Sequence, residues 1–235
     1  MDIQSIHTPF VQSLNSNLTL ATWQNHALEL PDNGTHWGFV YQGNPQLHRY
    51  REAQTFSLYP GMYFCLPGGG RIGGEQSCGM VMTCLNTDGA FSIGGPVESN
   101  GRFAYIDGAT NSVLIPPLRL GEPCLNALYF PAGCHQTLHT HPSDRLGVVL
   151  SGSGEAQTPD QVAQLHPGMI FIIPPEHLHK FRTDTSTLSL VVFHPDSDLG
   201  FSHRNNPMLN RTLVEGVSAA KISHIQTPLD CFKTD

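Results

Sequence analysis

His139 and His141 stand two residues apart in the segment GCHQTLHTHPSDRLGVVLSG, residues 133–152, and His179 lies near the end of PGMIFIIPPEHLHKF, residues 167–181. Side chains on a β-strand alternate between its faces, so a spacing of two sends both imidazoles of the first pair to one side. His179 follows an apolar run and a Pro-Pro turn, which places it at the end of a second strand. Three imidazoles from neighbouring strands can hold a transition metal at about 2.0–2.1 Å. Imidazole-only coordination suits Fe(II), Ni, Cu or Zn. Arg145 follows the pair closely, and a guanidinium cannot ligate a metal. An ion held by three neutral imidazoles keeps its full charge, and Arg145 adds to it. That pocket favours a small anionic molecule, whose carboxylate an arginine can grip with two hydrogen bonds. Asp144 is the competing reading, as a substitute carboxylate ligand.

Such a site needs rigid strands to carry it, and the rest of the chain reads as strands. Its 235 residues include 23 glycines and 18 prolines but only 13% charged residues. Short runs such as ALYF, GVVL, MIFII and LSLVVF are separated by PAG, SGSG, HPG and PPEH, which is turn chemistry. Runs this short and this numerous indicate an all-β sandwich or barrel. An internal repeat is also present. WGFVYQG (37–43) aligns with LGVVLSG (146–152) at an offset of 109, and YPGMYFCLP (59–67) with HPGMIFIIP (166–174) at an offset of 107. The chain therefore divides near residue 110 into two tandem domains, 1–110 and 111–235. Shifted back by these offsets, His139, His141 and His179 fall on Leu30, Asp32 and Ile72, while Arg145 falls on His36. The first domain thus has no metal ligands, and its role is structural or lies in shaping an oligomer such as a homodimer. TLVEGVSAAKI (212–222) reads as a short outer helix, and residues 1–20 show no clear period.

The two histidine segments resemble the cupin motifs G-x5-H-x-H-x3,4-E-x6-G and G-x5-P-x-G-x2-H-x3-N. Gly133, His139, His141 and Gly152 match the first, and Gly168, Pro174 and His179 the second. Three positions depart from the pattern: Arg145 stands for the usual Glu, Glu176 for the inner Gly, and Thr183 near the closing Asn. The resemblance covers about residues 133–182, and the repeat extends it to the first half. It implies two tandem jelly-roll barrels with few short helices. It also implies one divalent ion per chain on His139, His141 and His179, with Fe(II) favoured and Ni, Zn, Cu or Mn as alternatives. Three-histidine members of the family include thiol and aromatic-acid dioxygenases, so a mononuclear dioxygenase of a small anionic substrate is the first expectation. Arg145 would anchor that substrate.

Two other functions fit the same residues. One is a metal-dependent isomerase or lyase, with Glu176 or His135 moving the proton. The other is a non-catalytic small-molecule sensor or storage barrel, since the fold does not dictate the function. His177 reads as supporting or exposed, and His166, His194, His203 and His224 as loop histidines. A net charge of −7 without any basic run argues against nucleic acid. No apolar run is long enough to span a bilayer. The N-terminal residues MDIQSIHTPFVQ lack the pattern of a secretory signal, so the expected location is cytoplasmic. The six cysteines, at 65, 78, 84, 124, 134 and 231, form no short ladder and read as reduced thiols.

Overall fold

The computed structural model describes residues 1–203 and 205–228. Its first half contains β1 (Asp2–Ser5), β2 (Val11–Ser13), β3 (Leu18–Gln24), β4 (Ala27–Leu30), β5 (Gly34–Gln42), β6 (Gln46–Arg49), β7 (Gln54–Ser57), β8 (Tyr63–Pro67), β9 (Gly70–Gly73), β10 (Cys78–Leu85), β11 (Ser92–Gly94) and β12 (Phe103–Ala104). The second contains β13 (Thr110–Ile115), β14 (Cys124–Phe130), β15 (Arg145–Gly152), β16 (Gly154–Gln157), β17 (Val162–Leu165), β18 (Met169–Ile173), β19 (Lys180–Arg182) and β20 (Leu188–His194). Among the described residues, only the short α1 (Pro207–Arg211) and two single 3₁₀ turns break the all-β pattern.

The strand orders of the halves repeat one another. One large sheet runs β11-β8-β5-β10-β3-β2, and the other β1-β18-β15-β20-β14-β13-β12. Thus β5, β8, β10 and β3 occupy the places of β15, β18, β20 and β14. Small sheets, β4-β9-β6-β7 and β17-β16-β19, close the two jelly-roll barrels. The edge beside β18 is filled by β1, in register from Asp2↔Ile172 to Ser5↔Met169, where β11 flanks β8 in the first barrel. Residues 2–5, which have no readable period, therefore complete the sheet of the C-terminal half, across the expected division near residue 110.

The repeated sequence marks a repeated packing device. Gly38 pairs with Phe64, and Gly147 with Phe171. A Cβ on Gly38 would stand 2.1 Å from the Phe64 ring, and one on Gly147 would stand 2.3 Å from that of Phe171. In each barrel a glycine opens the space that a facing phenylalanine fills. The strand-ending Gly43 and Gly152 have φ of 79° and 78°, a conformation that glycine adopts without cost.

Alternation along the strands produces three cores. Val40, Phe64, Ile72 and Val81 fill the first barrel, and Val149, Phe171, Leu190 and Val192 the second. Residues of opposite parity, including Leu20, Phe39, Met80, Leu146, Ile170 and Phe193, form a third core that joins the two large sheets. Trp37 and Phe193 meet across it with ring centroids 5.4 Å apart. Sheets buried on both faces explain why these strands read as continuous apolar runs.

The stretch 212–222 is not a helix. Leu213–Val214 and Val217–Ser218 form a two-stranded hairpin, followed by the 3₁₀ turn Ala219–Lys221. Glu215 and Gly216, with φ of 51° and 80°, supply the two left-handed residues such a turn requires. Cys65, Cys78, Cys84, Cys124 and Cys134 are buried free thiols, whereas Cys231 lies outside the described residues. Among the described residues, no helix is long and apolar enough to cross a membrane.

Candidate metal centre

His139, His141 and His179 converge inside the second barrel, with one ligand atom of each within 4.8 Å of the others. Their ring centroids are 4.6 Å apart for His139–His179, 5.0 Å for His139–His141 and 5.2 Å for His141–His179. The segment bearing the first pair is not a regular strand. It meets β19 and the residue before it through the isolated bridges His135↔Arg182 and His139↔His179 and a 3.1 Å hydrogen bond from the Gln136 amide to the Phe181 carbonyl. The second bridge has both backbone hydrogen bonds, at 3.0 and 2.9 Å, and it brings the two ligand positions face to face.

The backbone also sets the orientation of the rings. His139 Nδ1 lies 2.8 Å from the Thr137 carbonyl, and His179 Nδ1 lies 2.8 Å from that of His177. A carbonyl only accepts, so each Nδ1 carries the proton and each Nε2 keeps a free lone pair. Burial pushes His179 down to about 4. Burial, reinforced by Arg145, pushes His141 to about 3. Two imidazoles with free Nε2 atoms, beside a third that burial keeps neutral, are the kind of donor set a divalent transition metal needs, so these residues fit such an ion.

Arg145 points inward from the start of β15, with only 8% of its surface exposed. Its hydrogen bonds to the Ser143 carbonyl (3.1 Å), Ser143 Oγ (2.6 Å) and the Asp144 carbonyl (2.9 Å) all leave from Nη1. Nη1 is also 3.9 Å from Asp196. Nε is buried without a partner. Asp144 does not join the ligand cluster, and burial raises its carboxyl above the ordinary range.

The three histidines and Arg145 line a cavity of about 90 Å³. Its deep wall is apolar, formed by Leu128, Phe171, Ile173, Phe181 and Val192. On the Arg145 side it meets an outer vestibule of about 400 Å³, and His141, Arg145, Asn126 and His194 line both spaces. The hairpin formed by β12 and β13 brings Tyr105 to the cavity. Asp107 at its tip accepts a 2.7 Å hydrogen bond from the Thr137 amide, tying the hairpin to the ligand segment.

Glu176 and His135, the candidates for proton transfer, are both exposed and neither lines the cavity. Glu176 has φ 56°, and its amide donates to the His141 carbonyl at 2.8 Å. It thus occupies, with its backbone, the place where the resembling motif carries glycine. His194 is not a loop histidine: it ends β20 and lines the cavity with Asn126 Nδ2 3.4 Å from its Nε2. The alternation Leu188, Leu190, Val192, His194 is the signal that marks it as inward-facing. Gln136 lines the cavity too, although its parity on a regular strand would have turned it away.

In the first barrel the equivalent region is filled. Leu28 pairs with Ile72 and Leu30 with Gly70, and all three apolar side chains belong to that barrel's core or pack against it. His36, the counterpart of Arg145, is buried, with Nδ1 2.8 Å from Thr83 Oγ1 and Nε2 2.9 Å from the Pro31 carbonyl.

Residues 128–194 match the cupin domain family. No protein of curated function matches the sequence. Among solved structures, the cupin 2 conserved barrel domain protein from Leptotrichia buccalis aligns at 13% identity and TM-score 0.60, over 82% of this chain and 88% of that one. AerE from Microcystis aeruginosa aligns at 13% identity and TM-score 0.54, over 80% and 97%. Salicylate 1,2-dioxygenase from Pseudaminobacter salicylatoxidans aligns at 9% identity and TM-score 0.59, over 81% and 77%. The cupin match thus spans the part of the C-terminal half that carries His139, His141 and His179, and the chain as a whole shares the fold of these solved structures, among them a cupin 2 conserved barrel domain protein.

Proposed function

We propose that the protein is a mononuclear metal enzyme, a dioxygenase acting on a small carboxylate. The observation that carries this reading is the pairing of three convergent imidazoles, two of them oriented by backbone carbonyls, with a buried arginine whose Nε has no protein partner. A bound divalent ion, with Fe(II) favoured, would supply open coordination positions for substrate and dioxygen. The chain's own residues then have simple tasks. His139, His141 and His179 hold the ion, Arg145 orients the carboxylate, and the apolar deep wall limits access of water.

The isomerase or lyase reading is weakened by the positions of Glu176 and His135, which leave it without its proton-transfer groups. The salicylate dioxygenase neighbour supports the fold, and at 9% identity it lends only plausibility to the chemistry. The test is metal analysis of the purified chain, followed by oxygen-uptake measurements on the iron-loaded protein with a panel of small carboxylates and thiols. Stoichiometric oxygen consumption with one acid, abolished in the His179→Ala protein, is expected. An iron-loaded protein that consumes no oxygen with any member would overturn the dioxygenase reading.

A further inference from the structure

Gln136 is buried to 2% exposure on the cavity wall, and its side chain is only half satisfied. Its Oε1 accepts the Phe181 amide at 3.1 Å, while its Nε2 is buried without a partner. Reversing the amide would set an NH₂ group against that N–H, so the orientation is determined by the network. Two residues of the cavity lining therefore each carry an unpartnered buried donor, Gln136 Nε2 and Arg145 Nε. Leaving such a donor without an acceptor is costly, and both belong to residues that line the cavity.

The positions of the two donors differ. Arg145 lines both the inner cavity and the vestibule, whereas Gln136 lines only the inner cavity, as do Phe171 and Phe181. A ligand whose carboxylate lies on the Nε–Nη2 edge of Arg145 extends its other end toward Gln136, past apolar walls. That end meets a donor, so it carries an acceptor oxygen. The inner cavity of about 90 Å³ also limits its size, since a cavity of about 150 Å³ is what accommodates a benzene ring.

We propose that the substrate is a short aliphatic carboxylate bearing a keto or hydroxyl oxygen, read by Gln136, and that aromatic acids are excluded. This deepens the functional reading above and rests on its use of Arg145 as the carboxylate anchor. Gln136 is a specificity-determining residue in this scheme and takes no part in holding the metal.

The test is calorimetric titration of the full chain, freed of metal by a chelator, with propionate, pyruvate, L-lactate and salicylate. Removing the metal matters because a keto acid would otherwise gain affinity by chelation. Pyruvate or L-lactate is expected to bind roughly tenfold more tightly than propionate, the worth of one hydrogen bond to a buried donor. Salicylate is expected not to compete. In Gln136→Met the preference should vanish, and in Arg145→Met all the acids should weaken on the order of a hundredfold. Equal affinity of the unmodified chain for propionate and both oxygenated acids would overturn the proposal without recourse to any variant. So would salicylate binding that depends on Arg145. An iron-loaded chain that consumes no oxygen would defeat the enzymatic reading and leave this preference measurable, so the two failures are distinguishable.

Discussion

At the scale of single residues, the site combines a metal-ready donor set with a cation in the position where the family pattern has a carboxylate. Replacing His139, His141 or His179 singly by alanine should remove most bound metal, measured by elemental analysis. The circular dichroism spectrum should stay that of the folded barrel, because strand cores supply most of the stability at this chain length. Full metal occupancy in His179→Ala would contradict the ligand assignment. Arg145→Glu exchanges an anion anchor for a fourth potential ligand. Metal should bind more tightly, and carboxylates should weaken by about 2–5 kcal/mol if the pair is well desolvated. Arg145→Lys should rescue only part of that loss, since an ammonium cannot make the two-pronged contact. Unchanged carboxylate titrations for both variants would place the anion elsewhere.

At the scale of elements, Glu176 and Gly147 show how local backbone requirements shape the site. Glu176 carries φ 56° on the turn that leads into His179, a conformation costing a non-glycine residue on the order of 1 kcal/mol. Glu176→Gly should therefore hold stability level or raise it, with metal content and turnover retained. Loss of turnover at full metal content would restore a proton-transfer role to its carboxylate. Gly147→Ala pushes a methyl group against the Phe171 ring and should destabilise the chain by about 1–3 kcal/mol in urea unfolding. The smaller side chain in Gly147→Ala/Phe171→Leu should recover part of the loss. Additive effects of the two substitutions would show that the clash is relieved some other way. The same device at Gly38 and Phe64 is what makes the repeat visible in the sequence, because the requirement recurs wherever a strand must admit a facing ring.

At the scale of the whole molecule, the barrels differ in chemistry while sharing a fold. The first barrel fills with Leu28, Leu30 and Ile72 the region where the second gathers its histidines. Bound metal should therefore amount to one ion per chain, and a measured stoichiometry near two would mean that a further site exists. The third core, which includes Leu20, Phe39, Met80, Leu146, Ile170 and Phe193, couples the barrels, and β1 crosses from one half to complete the other's sheet. Each fully buried side chain of this kind contributes roughly 1.5–3 kcal/mol over an exposed one. The halves should consequently unfold together, with fluorescence and far-ultraviolet dichroism giving coincident transitions. Two separated transitions would show that the shared core is too weak to couple them.

The all-β class, the duplication and the three candidate metal-ligand histidines are determined by local sequence. Strand alternation, turn residues and recurring glycine–phenylalanine pairs act over short distances and leave a readable pattern. Gln136 and His194 illustrate what only the tertiary structure decided. Gln136 turns inward because its segment leaves regular strand geometry, held by bridges to Lys180–Arg182 and its neighbour His179 rather than by a ladder. His194 belongs to the site because β20 runs beside β14 and β15, which carry Asn126 and Arg145 into the same cavity. Tyr105 reaches the cavity by a hairpin anchored far along the chain, and β1 finds its partner more than 160 residues away, at β18. These placements depend on which strands become neighbours, and that is settled by burying three cores at once rather than by any local run of residues.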